Sequence, residues 1–113
     1  MGLSFNSIGR YAQSGIIGQR MAPRLLAAKP ETLLQDSGQL SAEKVLACAM
    51  QNEKPGGHGD RAHAASALEL AVWDLNAKLN DEPVSVLIAR HHGRTHYSPK
   101  VSVYAAGGYY YPS

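Results

Sequence analysis

Residues 52–79 read NEKPGGHGDRAHAASALELAVWDLNAKL, a glycine-rich turn that runs straight into a long amphipathic stretch. Pro55 disfavours a helical conformation at Lys54, and Gly56, Gly57 and Gly59 permit a sharp reversal. From Asp60 onward Ala64, Leu68, Ala71 or Val72, Leu75 and Leu79 recur at helical spacing, which predicts the longest helix of the chain over residues 60–79. The stretch DEP then stops it, and Pro83 opens a short helix through Ala89. Such a turn can cradle a phosphate, present one side chain to a ligand, or only turn a corner.

The phosphate reading has a formal basis. GHGDRA, Gly57 to Ala62, satisfies a GxGxxA fingerprint, in which glycines let backbone amides approach a pyrophosphate at a helix N-terminus. That fingerprint needs a β-strand immediately before it, and here a helix and NEKP come first. Asp81 and Glu82, about twenty residues on, fall in a turn rather than at a strand end. No GK[ST] follows the glycines, which excludes a Walker A loop. Lys54 stands at the edge of the turn, where a solvated lysine and a side chain held on a rigid loop both fit.

Upstream, Ser41 caps a helix from Ala42 to about Gln51, with Glu43 in its first turn and Val45, Leu46, Ala49 and Met50 as its apolar stripe. Gly15 to Ala28 reads as a helix in which Pro23 starts, kinks or restarts the chain. Pro30 to Leu34 is one further turn. Downstream, Val101, Val103 and Ala105 alternate with Ser102, Tyr104 and Ala106, which predicts a strand over residues 100–106. A lone strand must pair with something, and no second segment reads as a strand.

The remaining chemistry-bearing residues have ordinary readings. His58 and His63 are five apart and face different sides of a helix. His91, His92 and His96 read as solvated loop histidines, without HExxH or a cysteine pair to make a zinc site. Cys48 reads as a small core residue, and as the only cysteine it forms no internal disulfide. A net charge of +2 gives no case for nucleic acid or a membrane surface as partner. There is no apolar run of about 18 residues for a membrane span, and a reducing, cytoplasmic setting is the default expectation.

Two sets of strings carry a resemblance. ALELAVWDLNAKLNDEPVSVLIARHHG, with Trp73, Asp74, Pro83, Leu87 and Gly93, resembles the helix-turn-helix that closes the capping domain of the enolase superfamily. FNSIGRY, NEKPGGHGDR and VYAAGGYYYP are similar to the D-tartrate dehydratases of its mandelate racemase/muconate lactonizing enzyme group. The resemblance implies an α+β fold: residues 1–97 as the mostly helical C-terminal part of a capping domain, and residues 98–113 as the start of a TIM-like (β/α) barrel with its first strand. It further implies a magnesium-dependent hydro-lyase, D-tartrate yielding oxaloacetate and water, and a homo-oligomer at full length.

In that family the cap supplies substrate contacts, so the resemblance assigns Lys54 to a substrate carboxylate, Tyr109 or Tyr111 to the substrate at the end of the first barrel strand, and Asn6 to the cap–barrel seam. Ile8 replaces a polar Asn of the tartrate pattern and removes a hydrogen-bond donor. The base lysines, the magnesium carboxylates and the catalytic histidine of the family fall beyond residue 113. The expectation is therefore a cap fragment of a dicarboxylate or acid-sugar dehydratase, with no catalytic or metal-ligating residue of its own and inactive alone. A free-standing helical interaction module is the other expectation.

Overall fold

A computed structural model describes residues 1–4, 13–54 and 59–105. Its regular structure is helical. Helix α1 (Gln13–Ile16) runs through a π turn (Ile17–Met21) into α2 (Ala22–Ala27). A 3-10 turn (Pro30–Thr32) precedes α3 (Ala42–Ala49), and α4 (Asp60–Leu79) and α5 (Val84–His91) follow. The expected helix over residues 60–79 has the bounds that the sequence predicts.

Pro23 explains the π turn. A proline inside a helix lacks an N–H, and its ring clashes with the carbonyl one turn back. Here the N–H of Ala22, just before the proline, bonds to the carbonyl of Ile17, one residue further back than in an α-helix. The widened turn absorbs the ring, and α2 starts with proline in its first turn. The same turn carries Met21, which is fully buried, and Arg20.

Ser41 caps α3 as the sequence predicts, its Oγ accepting the N–H of Lys44 at 3.2 Å. Before it, the chain reverses tightly between Leu34 and Leu40, which form an antiparallel bridge, with Gly38 at φ +81°. A left-handed turn position of that kind favours glycine because a Cβ crowds the carbonyl.

Helix α4 is the spine, packed on α3, α1 and α5. Two apolar clusters flank it. One joins Ala42, Val45, Val72, Trp73, Ala77 and Leu87. The other joins Met21, Ala49, Ala64 and Ala65, where alanines let the helices approach closely. The buried face departs from the expected stripe. Beyond Leu68 it rotates through Val72 and Trp73 to Asn76 and Ala77, because α5 and the 34–40 loop pack there. Asn76 sits in this layer with its Nδ2 donating to the Leu40 carbonyl at 2.7 Å, while its Oδ1 is buried without a hydrogen-bond partner among the described residues. Leu75 is half-buried, and Leu79 is 63% exposed.

Of the strand expected over residues 100–106, residues 100–105 are described and show no strand, and residue 106 lies outside the described residues. Residues 101–105 have no ladder partner among the described residues, and Val101, Val103 and Tyr104 are exposed. Alternation alone cannot make a strand, because ladder hydrogen bonds need a second chain segment. The expected α+β character is thus helical among the described residues.

Trp73→Ala should cost about 3–5 kcal/mol, since it empties the layer between α3, α4 and α5. Leu79→Ala should cost no more than about 0.5 kcal/mol. Urea unfolding monitored by circular dichroism compares the two, and equal losses would contradict the buried face described above.

Candidate substrate-facing turn

The site is built where α3 ends. Arg24 of α2 donates from Nη1 to the carbonyl of Ala49 at 2.7 Å, satisfying a carbonyl that the helix end leaves open. Asn52 then turns the chain at φ +62°, a left-handed position that asparagine tolerates better than most residues. The N–H of Glu53 donates to the Met50 carbonyl at 3.0 Å. The backbone is thereby folded against the helix end up to Glu53, and Lys54 follows, exposed.

Glu53 is the centre of the arrangement. Its side chain is only 4% exposed and receives three guanidinium groups. Arg20 from the π turn donates from Nη2 to both carboxylate oxygens, at 2.5 Å to Oε1 and 2.6 Å to Oε2. Arg24 reaches Oε1 at 3.0 Å, and Arg61 from the first turn of α4 reaches Oε2 at 3.3 Å. Desolvation pushes the Glu53 carboxyl up, but hydrogen bonds from Arg24, Arg20 and Arg61 outweigh it and hold the group below its ordinary 4.5.

Two further carboxylates act as struts elsewhere. Asp74 accepts the Leu3 N–H and the Lys78 ammonium, each at 2.6 Å, so it pins the N-terminal residues to α4. The Lys78 ammonium and then the Leu3 N–H hold its carboxyl below the ordinary value. Gly2 lies so close to α4 that a Cβ there would overlap the Ala71 carbonyl oxygen. Glu43, at the start of α3, lies 2.7 Å from Nε2 of His91 and accepts from Ser41 Oγ at 2.9 Å. Its own backbone hydrogen bond leads the causes that hold its carboxyl below the ordinary value, against the opposing effect of burial.

His91 is therefore not a loop histidine. It is the last residue of α5, edge-on to Trp73 with ring centroids 5.0 Å apart. Cys48 is partly buried, its Sγ 3.7 Å from the Arg24 carbonyl, in keeping with a packing role. Among the described residues no three His, Cys, Asp or Glu side chains converge, so these residues do not fit a magnesium site. Among them, too, no helix is long and apolar enough to cross a membrane.

Of the substrate contacts expected from the sequence, Lys54 alone falls within the described residues. Asn6, Tyr109 and Tyr111 lie outside them, as do Ile8 and His58. The sequence reading missed Glu53, Arg20, Arg24 and Arg61. Only the four-residue spacing of Arg20 and Arg24 hinted that two cations share a helix face. A concavity of about 250 Å³ lies at the opposite end of α3 between Glu43, Trp73, Asn76 and His91.

The geometry defines a helical layer in which the turn leading to the exposed Lys54 is braced by an ion cluster around Glu53. The family model for the N-terminal domain of mandelate racemase / muconate lactonizing enzymes matches residues 5–89. The chain belongs to this family, within the enolase superfamily, and the match takes in α1 to α4, the glycine turn and most of α5.

Acid should unfold the chain through these carboxylates. Glu43, Glu53 and Asp74 are all depressed in the folded state. Their contribution is present above their ordinary values and is lost as pH falls through the folded ones. The melting temperature should therefore drop between roughly pH 5 and about pH 3, and less steeply in Glu53→Gln than in the parent. Parallel melting curves across that range check the sign.

Proposed function

We propose that this chain forms the capping-domain part of a magnesium-dependent acid-sugar dehydratase, in which Lys54 holds a substrate carboxylate. The observation that carries the proposal is an exposed lysine on a backbone anchored by three arginines and one carboxylate. The cluster and Lys54 together carry a surplus of positive charge. Counting Asp60, next in sequence to Arg61, that surplus still equals the net +2 of the whole chain. A turn with such a field attracts anions.

A diacid fits this better than a monoacid. One carboxylate flanks the carbon that loses its proton, and the other needs a cation of its own. Lysine supplies a compact point charge with three donors, suited to a carboxylate that arrives from solvent. Within the acid sugars the NEKPGG, FNS and YYY strings favour D-tartrate. Its conversion to oxaloacetate removes the α-proton and the β-hydroxyl as one water. Asn6 and Tyr109 or Tyr111 complete the substrate contacts in this reading. The proton transfers, and the charge stabilisation that Mg2+ supplies in the family, are assigned to a barrel domain beyond these residues, starting near residue 98.

Two measurements test the proposal. In the complete enzyme bearing this cap, Lys54→Ala should lower kcat/KM for D-tartrate roughly tenfold to a hundredfold, the value of one charge-assisted hydrogen bond, with the melting temperature unchanged. Lys54→Arg should not restore it fully, and equal turnover by parent and Lys54→Ala at subsaturating D-tartrate would remove the assignment. The 113-residue chain itself, given D-tartrate and Mg2+, should form no oxaloacetate; sustained turnover above a blank would overturn its role as a cap.

A non-catalytic helical interaction module has one observation in its favour. An open apolar groove of about 270 Å³ runs between Leu25, Leu33, Val45, Leu68, Val72 and Leu75. A module of that kind should melt cooperatively as a soluble species, whereas a cap part should expose sticky apolar surface. Calorimetry with light scattering on the purified chain separates the two.

A further inference from the structure

We infer that Glu53 is a positioning residue: its carboxylate, gripped by Arg20, Arg24 and Arg61, fixes the backbone from which Lys54 reaches a substrate carboxylate. The inference rests on the assignment of Lys54 just made. Four elements meet at this one group. Arg20 comes from the π turn, Arg24 from α2, Arg61 from the start of α4, and Glu53 itself from the exit of α3. Glu53 and Arg61 stand on either side of the glycine turn, eight residues apart, so their ion pair ties both ends of the turn together. A fixed contact across so short a separation limits how far Lys54, next to Glu53, can move.

The arginines have a second effect. Glu53 and Lys54 are adjacent in sequence, and an unoccupied carboxylate beside an ammonium would pair with it and cancel its charge. Here Oε1 accepts from Arg20 and Arg24, and Oε2 accepts from Arg20 and Arg61. The carboxylate is saturated and held inside, which leaves the Lys54 ammonium for a ligand. Glutamine cannot replace it, because its amide nitrogen is a donor and would face another donor on one of the guanidinium groups. The π turn belongs to the same device, since it carries Arg20, whose Nη2 bridges both oxygens of Glu53.

The test uses the 15N-labelled 113-residue chain, with D-tartrate as the probe. Backbone amide relaxation reports the order of Lys54, and chemical-shift titration reports binding. In Glu53→Gln the Lys54 amide should lose order while the amides of α3 and α4 keep theirs, and D-tartrate binding should weaken about tenfold. A general structural role would instead loosen the helices together. A folded Glu53→Gln with an unchanged Lys54 amide overturns the inference. If Glu53→Gln gives no dispersed spectrum, Arg20→Gln decides by the same readouts, because that side chain is half-exposed and its loss spares Arg24 and Arg61. An unchanged Lys54 amide in Arg20→Gln then overturns it. Lys54→Ala separates the two ideas: D-tartrate binding equal to the parent's removes the substrate contact, whatever Glu53 does to the order of the turn.

Discussion

A carboxylate cannot be taken out of water without partners, and Glu53 has three. That constraint organises the described part of the molecule. Taking a charge out of water is costly unless hydrogen bonds fill its lone pairs. The arginines that fill those of Glu53 come from three places separated along the chain. Each must therefore be delivered by its own element: the π turn by way of Pro23, α2 by its packing on α3, and the first turn of α4. A cluster with so many suppliers is satisfied in one arrangement of those elements and strained in others. It gives specificity to a core that is otherwise rich in interchangeable alanines.

The other end of α3 is held by different means. Ser41 caps the helix, Glu43 meets His91, and His91 stacks edge-on against Trp73, so α3, α4 and α5 are joined at one corner. Asp74 faces away from that corner and binds the Leu3 N–H and Lys78. The Trp73–Asp74 pair that marks the family in this sequence is therefore architectural. Trp73 fills the layer beneath α5, and Asp74 fastens the N-terminal residues. The Trp73 corner lies at the start of α3, a helix about 12 Å long, whereas the turn that carries Lys54 follows its end; Asp74 binds Leu3 and Lys78 instead.

Local rules made the helices legible. The bounds of α4 follow from Pro55 and the glycines before it and from DEP after it, and Ser41 marks the start of α3 by its side-chain oxygen alone. Features that depend on the third dimension were not legible. Leu79 continues the periodic stripe but points to solvent, because the elements that cover α4 lie to one side of it. His91 follows an apolar helix as though in a loop, yet Glu43, 48 residues away, draws it onto α3. The partners of Glu53 stand 33, 29 and 8 residues from it, separations at which no spacing rule operates. The expected strand shows the limit from the other direction: the alternation in residues 101–105 is real, but a ladder requires a neighbour that these residues do not have among those described.

The candidate site was legible in one residue and hidden in its support. Lys54 stands out beside Pro-Gly-Gly, whereas Glu53 looks like any charged residue near a turn. Their adjacency is what gives the pair its chemistry. Nearest neighbours of opposite sign attract at any ionic strength, and in an unstructured NEKP segment the lysine would spend part of its time on the glutamate. The fold prevents this by offering the glutamate better partners. Guanidinium groups are planar, bidentate and more weakly hydrated than an ammonium, so they win the competition for a buried carboxylate, and the strongly hydrated lysine stays at the surface. The cationic surplus of the turn is thus created by sorting, with arginines inward onto Glu53 and lysine outward. The sorting holds only while the carboxylate is ionised, which couples the reach of Lys54 to the same proton that acid would place on Glu53.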